Sequence, residues 1–185
     1  FCNSKKVNIS FIDLCFSYSD KVVLFDHINL TIPFGQHVAI IGTNGSGKTT
    51  LINLLLRLYT PTSGLITLNE ININDYNIGS YRSVFSVASQ RPFMFCDTIK
   101  NNICLYKEVS DDHLNWAIEN SGLAALIEEK SLSYCVGQNG CELSGGQRQR
   151  ISIARTLIHQ TPIVILDEAE ANFDEGFQEI LENLH

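Results

Sequence analysis

Gly42-Thr43-Asn44-Gly45-Ser46-Gly47-Lys48-Thr49 is the stretch on which the fold turns. It satisfies G-x-x-x-x-G-K-[ST] and lies between an apolar run at residues 38–41 and a segment whose Leu51, Leu54, Leu55 and Leu58 recur on one helical face. A short buried strand running into such a loop, and a helix leaving it, is the entry to an α/β core. The glycines let the backbone curl so that successive N–H groups converge on a phosphate, and the helix start adds its partial positive charge. Lys48 is then placed to reach the terminal phosphates, Thr49 to offer its hydroxyl to Mg2+, and Thr50 to continue the same turn.

Outward from this loop the pattern changes twice. Residues 7–18 alternate apolar and polar side chains (Val7, Ile9, Phe11) and read as a strand, Val22–Ile32 as a second, with Ser19, Asp20 and Lys21 as their turn. A turn at residues 61–64 leads to a strand at residues 65–68. Beyond it the chain becomes helical. Asp97 or Thr98 can cap a helix reaching Ile103; Ser110, Asp111 and Asp112 start one carrying Leu114, Ala117 and Ile118; Ser144 caps one whose Ile151, Ala154, Leu157 and Ile158 share a face. Pro162 ends that segment, and the apolar Ile163–Leu166 is a strand that stops at Asp167. The expected organisation is a β subdomain plus nucleotide core from residues 1–89 and 143–185, with a helical subdomain at residues 90–142 inserted between them.

Bulk properties exclude several classes. With 185 residues, 44% hydrophobic and 18% charged, the chain suits one folded core with room for two lobes. A net charge of −7 and a pI near 5.1 lack the basic surface that nucleic acid requires, so no nucleic-acid partner is expected. No apolar run approaches the roughly 18 residues of a membrane span. The chain begins Phe1-Cys2-Asn3 without an initiator Met and reads as a piece of something longer. Its six cysteines show neither CxxC nor metal-ligand spacing, and the expectation is buried or partly buried free thiols in a reducing, cytosolic compartment.

Two further motifs carry chemistry. Asp167 ends an apolar strand, as an acidic Mg2+ partner does in phosphate-loop ATPases, and Glu168 follows it. Adjacent residues leaving a strand diverge, so one carboxylate can face the metal while Glu168 faces an attacking water as general base. Leu143-Ser144-Gly145-Gly146-Gln147 sets a capping serine and two glycines at a helix start, itself an anion-binding geometry.

Loop, acidic pair and glycine-rich pentapeptide together resemble the nucleotide-binding domain of ABC transporters over the whole chain. The resemblance implies a P-loop, RecA-like α/β core with an N-terminal antiparallel β subdomain and a helical insert that carries the pentapeptide. It implies ATP and Mg2+ as cofactors, Tyr18 as the aromatic stacked on adenine, and Gln90 as the glutamine that contacts Mg2+ and the membrane domain. Thr49, Gln90 and Asp167 become the metal ligands, with Glu168, Lys48 and Gln90 the catalytic set. It further implies a head-to-tail dimer in which Ser144, Gly145, Gly146 and Gln147 reach the ATP held by the partner's phosphate loop. Transmembrane domains would be the second partner, at the cytoplasmic face of a membrane.

Val136-Gly137-Gln138-Asn139-Gly140 is similar to the VGExG stretch of exporters, with Gln138 where a Glu is usual. Asp174 matches the aspartate of the loop after the catalytic glutamate, but Glu170-Ala171-Asn172-Phe173 stands where the family commonly has Thr-Ser-Ala-Leu. The family's switch histidine would fall beyond His185, so the C-terminal part of the domain is expected to be missing and turnover by this chain alone to be weak. The readings that compete are a nucleotide-dependent dimerising module without efficient hydrolysis and a non-transport ABC ATPase.

Overall fold

The structure, a computed structural model, describes residues 6–19 and 22–167. Glu168, Asp174 and His185 therefore lie outside the described residues. The chain divides after Val84 into two compact units.

The first unit is built on a four-stranded antiparallel sheet of order β2-β1-β3-β4, from β1 (Ile9–Ser19), β2 (Val22–Ile32), β3 (Ser63–Leu68) and β4 (Ile71–Asn72). Alternation puts Ile9 and Phe11 inside, as expected, but then Leu14 and Phe16 take over the buried face. The switch from odd to even positions is the signature of one extra residue. It sits at Asp13, whose φ of 52° marks a bulge between the pairs Phe11↔Leu30 and Leu14↔Ile28. Gly64 on β3 accommodates that bulge: its φ is +75°, and a Cβ there would stand 2.2 Å from the Asp13 carbonyl oxygen.

Helix α1 (Lys48–Leu55) buries Leu54 and Leu55 but stops earlier than the leucine spacing suggests, and Leu58 is exposed. The reason lies in what receives its last carbonyls. The Tyr81 hydroxyl donates to Leu55 O at 2.5 Å, Arg82 Nε to Leu56 O at 3.1 Å, and Arg82 Nη2 to Arg57 O at 3.1 Å. Both donors belong to the short α2 (Ile78–Arg82), which starts at an Asn77 cap and was not apparent from periodicity. They satisfy carbonyls that no further turn could, and Arg57 leaves the helix with a left-handed φ of 56°.

One expectation fails outright here. Residues 38–41 form no strand among the described residues, and Val38, Ile40 and Ile41 are exposed. An apolar run becomes a strand only where a neighbour accepts its ladder hydrogen bonds, and these residues have no such ladder.

In the second unit β5 (Phe85–Ala88) pairs in parallel with β6 (Ile163–Leu166). Four helices join them: α3 (Ile99–Cys104), α4 (Asp111–Asn120), α5 (Ala124–Lys130) and α6 (Gly145–Ile158). α6 packs against α3, α4 and β5 and supplies Ile151, Ile153, Ala154, Leu157 and Ile158 to the core. Thr98, Ser110 and Ser144 cap α3, α4 and α6, each accepting from the N–H three residues on. The thiol expectation is half right. The five cysteines among the described residues are free, but Cys96, Cys135 and Cys141 are exposed rather than buried, because all three sit in loops outside the helical core.

Replacing Gly64 by Ala forces a side chain into a left-handed position and against the Asp13 backbone. Urea unfolding should show a loss of about 2–4 kcal/mol, the sum of left-handed strain and overpacking. An unchanged midpoint would mean that β1 carries no bulge at Asp13.

Candidate functional site

The phosphate loop reverses direction through two left-handed glycines, Gly45 (φ +82°) and Gly47 (φ +98°). Gly47 is required twice over, since a Cβ there would also stand 2.9 Å from the Phe25 ring and 3.1 Å from Leu24. Ser46 N–H closes the turn onto Thr43 O at 3.1 Å. Lys48 Nζ donates to Gly42 O at 2.9 Å and Thr43 O at 3.2 Å, which holds its charge across the mouth of the loop. No side chain caps the start of α1. The loop therefore offers a cation and an uncapped helix N-terminus on one concave, exposed turn, the combination that receives phosphate. Asn44 lies at its exposed tip and Thr49 is exposed on the first turn of α1.

Tyr18 is brought to the same helix. Its hydroxyl bonds the buried Thr50 Oγ1 at 2.6 Å, while 62% of the residue stays exposed. T-shaped contacts with Phe16 (5.0 Å) and Tyr59 (5.7 Å) fix the ring's orientation.

The pentapeptide sits on α6 in a different state. Ser144 Oγ accepts from Gln147 N at 3.2 Å and Gln147 Oε1 accepts from Ser144 N at 2.9 Å, a complete capping box. Arg148 reaches back to Leu143 O at 2.7 Å and Gly140 O at 3.2 Å, so the preceding loop is held from the helix. Neither Gly145 nor Gly146 has the positive φ that would demand glycine. A Cβ on Gly146 would meet nothing within 4 Å, and one on Gly145 only the tip of Arg148 at 4.0 Å. Each glycine in a helix costs on the order of 1 kcal/mol against alanine. Nothing among the described residues explains that cost, and close approach of another molecule would.

Asp167 follows β6, and its N–H donates to Ala88 O at 2.9 Å. Because β5 and β6 are parallel, Asp167 and the Ser89-Gln90 segment leave the sheet at the same carboxyl end, where ligands gather in open α/β sheets. Gln149 of α6 ties to that end by donating to Ser89 O at 3.4 Å. Gln90 also lines an open groove of about 480 Å³ together with Gln138, Asn139, Gly145, Arg148 and Gln149. Three segments singled out separately in the sequence, Gln90, the 136–140 stretch and the pentapeptide, thus share one groove. Within the second unit Gln90 and Asp167 are both oxygen donors, the ligand type that suits a hard ion.

Sequence reasoning missed the residues that hold the 93–98 segment in place. Asn102 is fully buried; its Oδ1 accepts from Phe95 N at 2.8 Å and its Nδ2 donates to Phe95 O and Thr98 O, both at 3.0 Å. Arg155 donates to Asn102 O at 2.9 Å and to Phe93 O at 3.2 Å, and burial pulls its guanidinium below the usual arginine range. Asp97 accepts from Tyr106, Thr98 and Asn101, which holds its carboxyl below the usual carboxylate range, the Tyr106 hydroxyl first among the causes. A buried Asn or Arg has no local sequence pattern; only its position on the apolar face of a predicted helix could have drawn notice.

The chain can be set beside known proteins. A family model described as ABC transporter matches residues 25–171. The ATP-dependent lipid A-core flippase of Idiomarina loihiensis is 44% identical over 172 residues, covering 90% of this chain and 30% of that protein. The flippase of the same name from Desulfotalea psychrophila is 40% identical over 186 residues, covering 97% and 32%. Among solved structures, a bacterial Atm1-family ABC exporter with ATP bound superposes with a TM-score of 0.90 at 31% identity, over 97% of this chain and 32% of that one. The chain thus spans about a third of the length of the relatives it matches.

Asn102→Ala removes both halves of a buried amide bridge and leaves the Phe95 N–H without its acceptor. Urea unfolding should register a loss of about 1–3 kcal/mol. A neutral result would show that the 93–98 segment does not depend on Asn102.

Proposed function

The chain belongs to the ABC transporter family, and on that premise we propose that it is the ATP-binding and ATP-hydrolysing part of an exporter, working as a head-to-tail dimer. The observation that carries the dimer is the pair of glycines at the start of α6, small where nothing among the described residues crowds them. A helix start locked by its own capping box yet bare of side chains is a surface for a second molecule's phosphate. An uncapped helix start beside a lysine is a surface for its own. Two copies placed head to tail bring one kind of surface to the other.

In this reading the backbone N–H groups of Gly45, Ser46, Gly47, Lys48, Thr49 and Thr50, with the Lys48 ammonium, bind the β- and γ-phosphates, and Gly42, Thr43 and Asn44 shape the loop. Tyr18 stacks on adenine with its exposed face. Ser144, Gly145, Gly146 and Gln147 meet the γ-phosphate held by the partner. Glu168, outside the described residues, takes the proton from the water that attacks the γ-phosphorus. Thr49, Gln90 and Asp167 offer their oxygens to Mg2+, which when bound supplies positive charge to the phosphates as they separate.

The exporter reading rests on the likeness of residues 136–140 to the VGExG stretch and on the relatives, which are named as flippases and an exporter. We assign residues 1–89 and 143–185 to the β subdomain and nucleotide core, and residues 90–142 to a helical subdomain that faces membrane domains through Gln90. No helix among the described residues is long and apolar enough to cross a membrane, and the domain would work at the cytoplasmic face, beside transmembrane partners.

Gly146→Ala discriminates between a structural and an intermolecular reason for the glycine. Unfolding of the isolated chain should be unchanged or up to about 1 kcal/mol more favourable to the folded state. ATP-dependent dimerisation by light scattering, and phosphate release, should fall at least tenfold. A variant that dimerises normally would remove the trans contact.

Glu168→Gln should keep nucleotide affinity while phosphate release stops, trapping the ATP-bound dimer. Undiminished turnover would take Glu168 out of the role of base and favour another proton acceptor.

A further inference from the structure

Two bulges in the β1–β2 ladder gather four polar side chains that nothing in the nucleotide chemistry uses. The pairs Leu14↔Ile28 and Phe16↔Phe25 leave the single residue Cys15 opposite both Asp26 and His27. The next interval leaves Ile12 and Asp13 opposite Asn29 alone. His27 and Asp13 absorb the extra residues with left-handed φ values of 50° and 52°. A bulge re-aims side chains that strict alternation would send to opposite faces. The result is that the Cys15 thiol, a carboxylate oxygen of Asp26 and an imidazole nitrogen of His27 all lie within 4.8 Å of one another. Among the described residues it is the only grouping of three such side chains with that proximity.

We propose that Cys15, Asp26 and His27 form a binding site for a divalent metal of the Zn2+ class, with Asp13 as a positioning residue. Sulfur, imidazole and carboxylate together match Zn2+ or Co2+, where Ca2+ and Mg2+ call for oxygen alone. His27 Nε2 stands 3.8 Å from Asp26 Oδ1, close to the ~3.3–3.6 Å that separates two light ligands on one tetrahedral ion.

Two features beyond proximity prepare the ligands. Asp13 Oδ1 lies 2.8 Å from His27 Nδ1, so the carboxylate holds that nitrogen as the N–H and turns Nε2 toward the metal. A carboxylate behind the ligand histidine is the usual outer partner in zinc sites. The His27 backbone N–H donates to Cys15 Sγ at 3.2 Å, which holds the sulfur beside the residue that carries the imidazole. Three protein ligands leave a fourth position for water or for a donor from another molecule. The site lies wholly on β1 and β2 and stands whether or not the nucleotide reading does.

The test uses the whole chain with Cys2, Cys96, Cys135 and Cys141 replaced by Ser, so that the cluster thiol is the accessible one. Co2+ is titrated as the probe and then displaced with Zn2+. One Co2+ per chain should bind with a sulfur-to-cobalt charge-transfer band, and Zn2+ should abolish it. Cys15→Ser should remove the band. His27→Gln and Asp26→Asn, both at exposed positions, should each weaken binding at least tenfold, and Asp13→Asn by about 10–100-fold. Circular dichroism confirms that each variant is folded. Absence of the band in the parent chain, its survival in Cys15→Ser, or unchanged affinity in His27→Gln would reduce the cluster to hydrogen-bonded surface residues and overturn the site.

Discussion

The first N–H groups of a helix have no partner within the helix, and this chain meets that constraint in opposite ways at its two principal helix starts. At α6 Ser144 and Gln147 exchange side-chain hydrogen bonds with each other's backbone, which satisfies the N–H groups of both. At α1 the N-cap is Gly47, which has no side chain to give. The difference follows from chemistry. A start without a side-chain cap keeps its donors for a ligand, whereas the α6 box fixes the helix start and leaves the Gly145 and Gly146 N–H groups outside the box. Gly145 and Gly146 then make sense on a rigid start, because a flexible one would lose the close approach that small residues permit.

The other ends of these elements are governed by carbonyls. Tyr81 and Arg82 receive the last carbonyls of α1, and burial pushes the Tyr81 hydroxyl above the usual phenol range. A helix held at its carboxyl end keeps its amino end, and so the phosphate loop, in one place. In the second unit Arg148, Arg155 and Asn102 do the same for irregular segments: Arg148 grips the loop before the pentapeptide, while Asn102 and Arg155 grip residues 93–95. Removing Arg155 from water is costly unless its donors are used, and here they are met by the Asn102 and Phe93 carbonyls. These loops anchor Met94, Val136 and Leu143 in the core, but their backbone polar groups have no helix or sheet ladder to enter. Charged and amide donors aimed at backbone oxygens order them instead.

Much of this was legible in the sequence by itself. The phosphate loop, the capping residues Thr98, Ser110 and Ser144, the buried face of α6 and the strand Ile163–Leu166 all stand where their residues placed them. In each case the deciding interaction closes within a few positions: a side-chain oxygen reaches the N–H three residues on, or an apolar stripe repeats at the helical period. Glycine and lysine at fixed offsets announce a phosphate site for the same reason.

The tertiary structure decided what depends on a distant partner. Leu58 belonged to a helical stripe, yet α1 stops short because Tyr81 and Arg82 take its carbonyls. Residues 38–41 had the composition of a strand but have no ladder, and composition cannot supply one. The bulges at Asp13 and at Asp26-His27 moved Leu14 and Phe16 inward and set Cys15 beside an imidazole, although no spacing in the chain resembles a metal motif. Register is a relation between two strands, and shifting it by one residue changes the face of every side chain that follows. A single strand read alone does not contain that relation, whereas a cap or a helical stripe is complete within its own few residues.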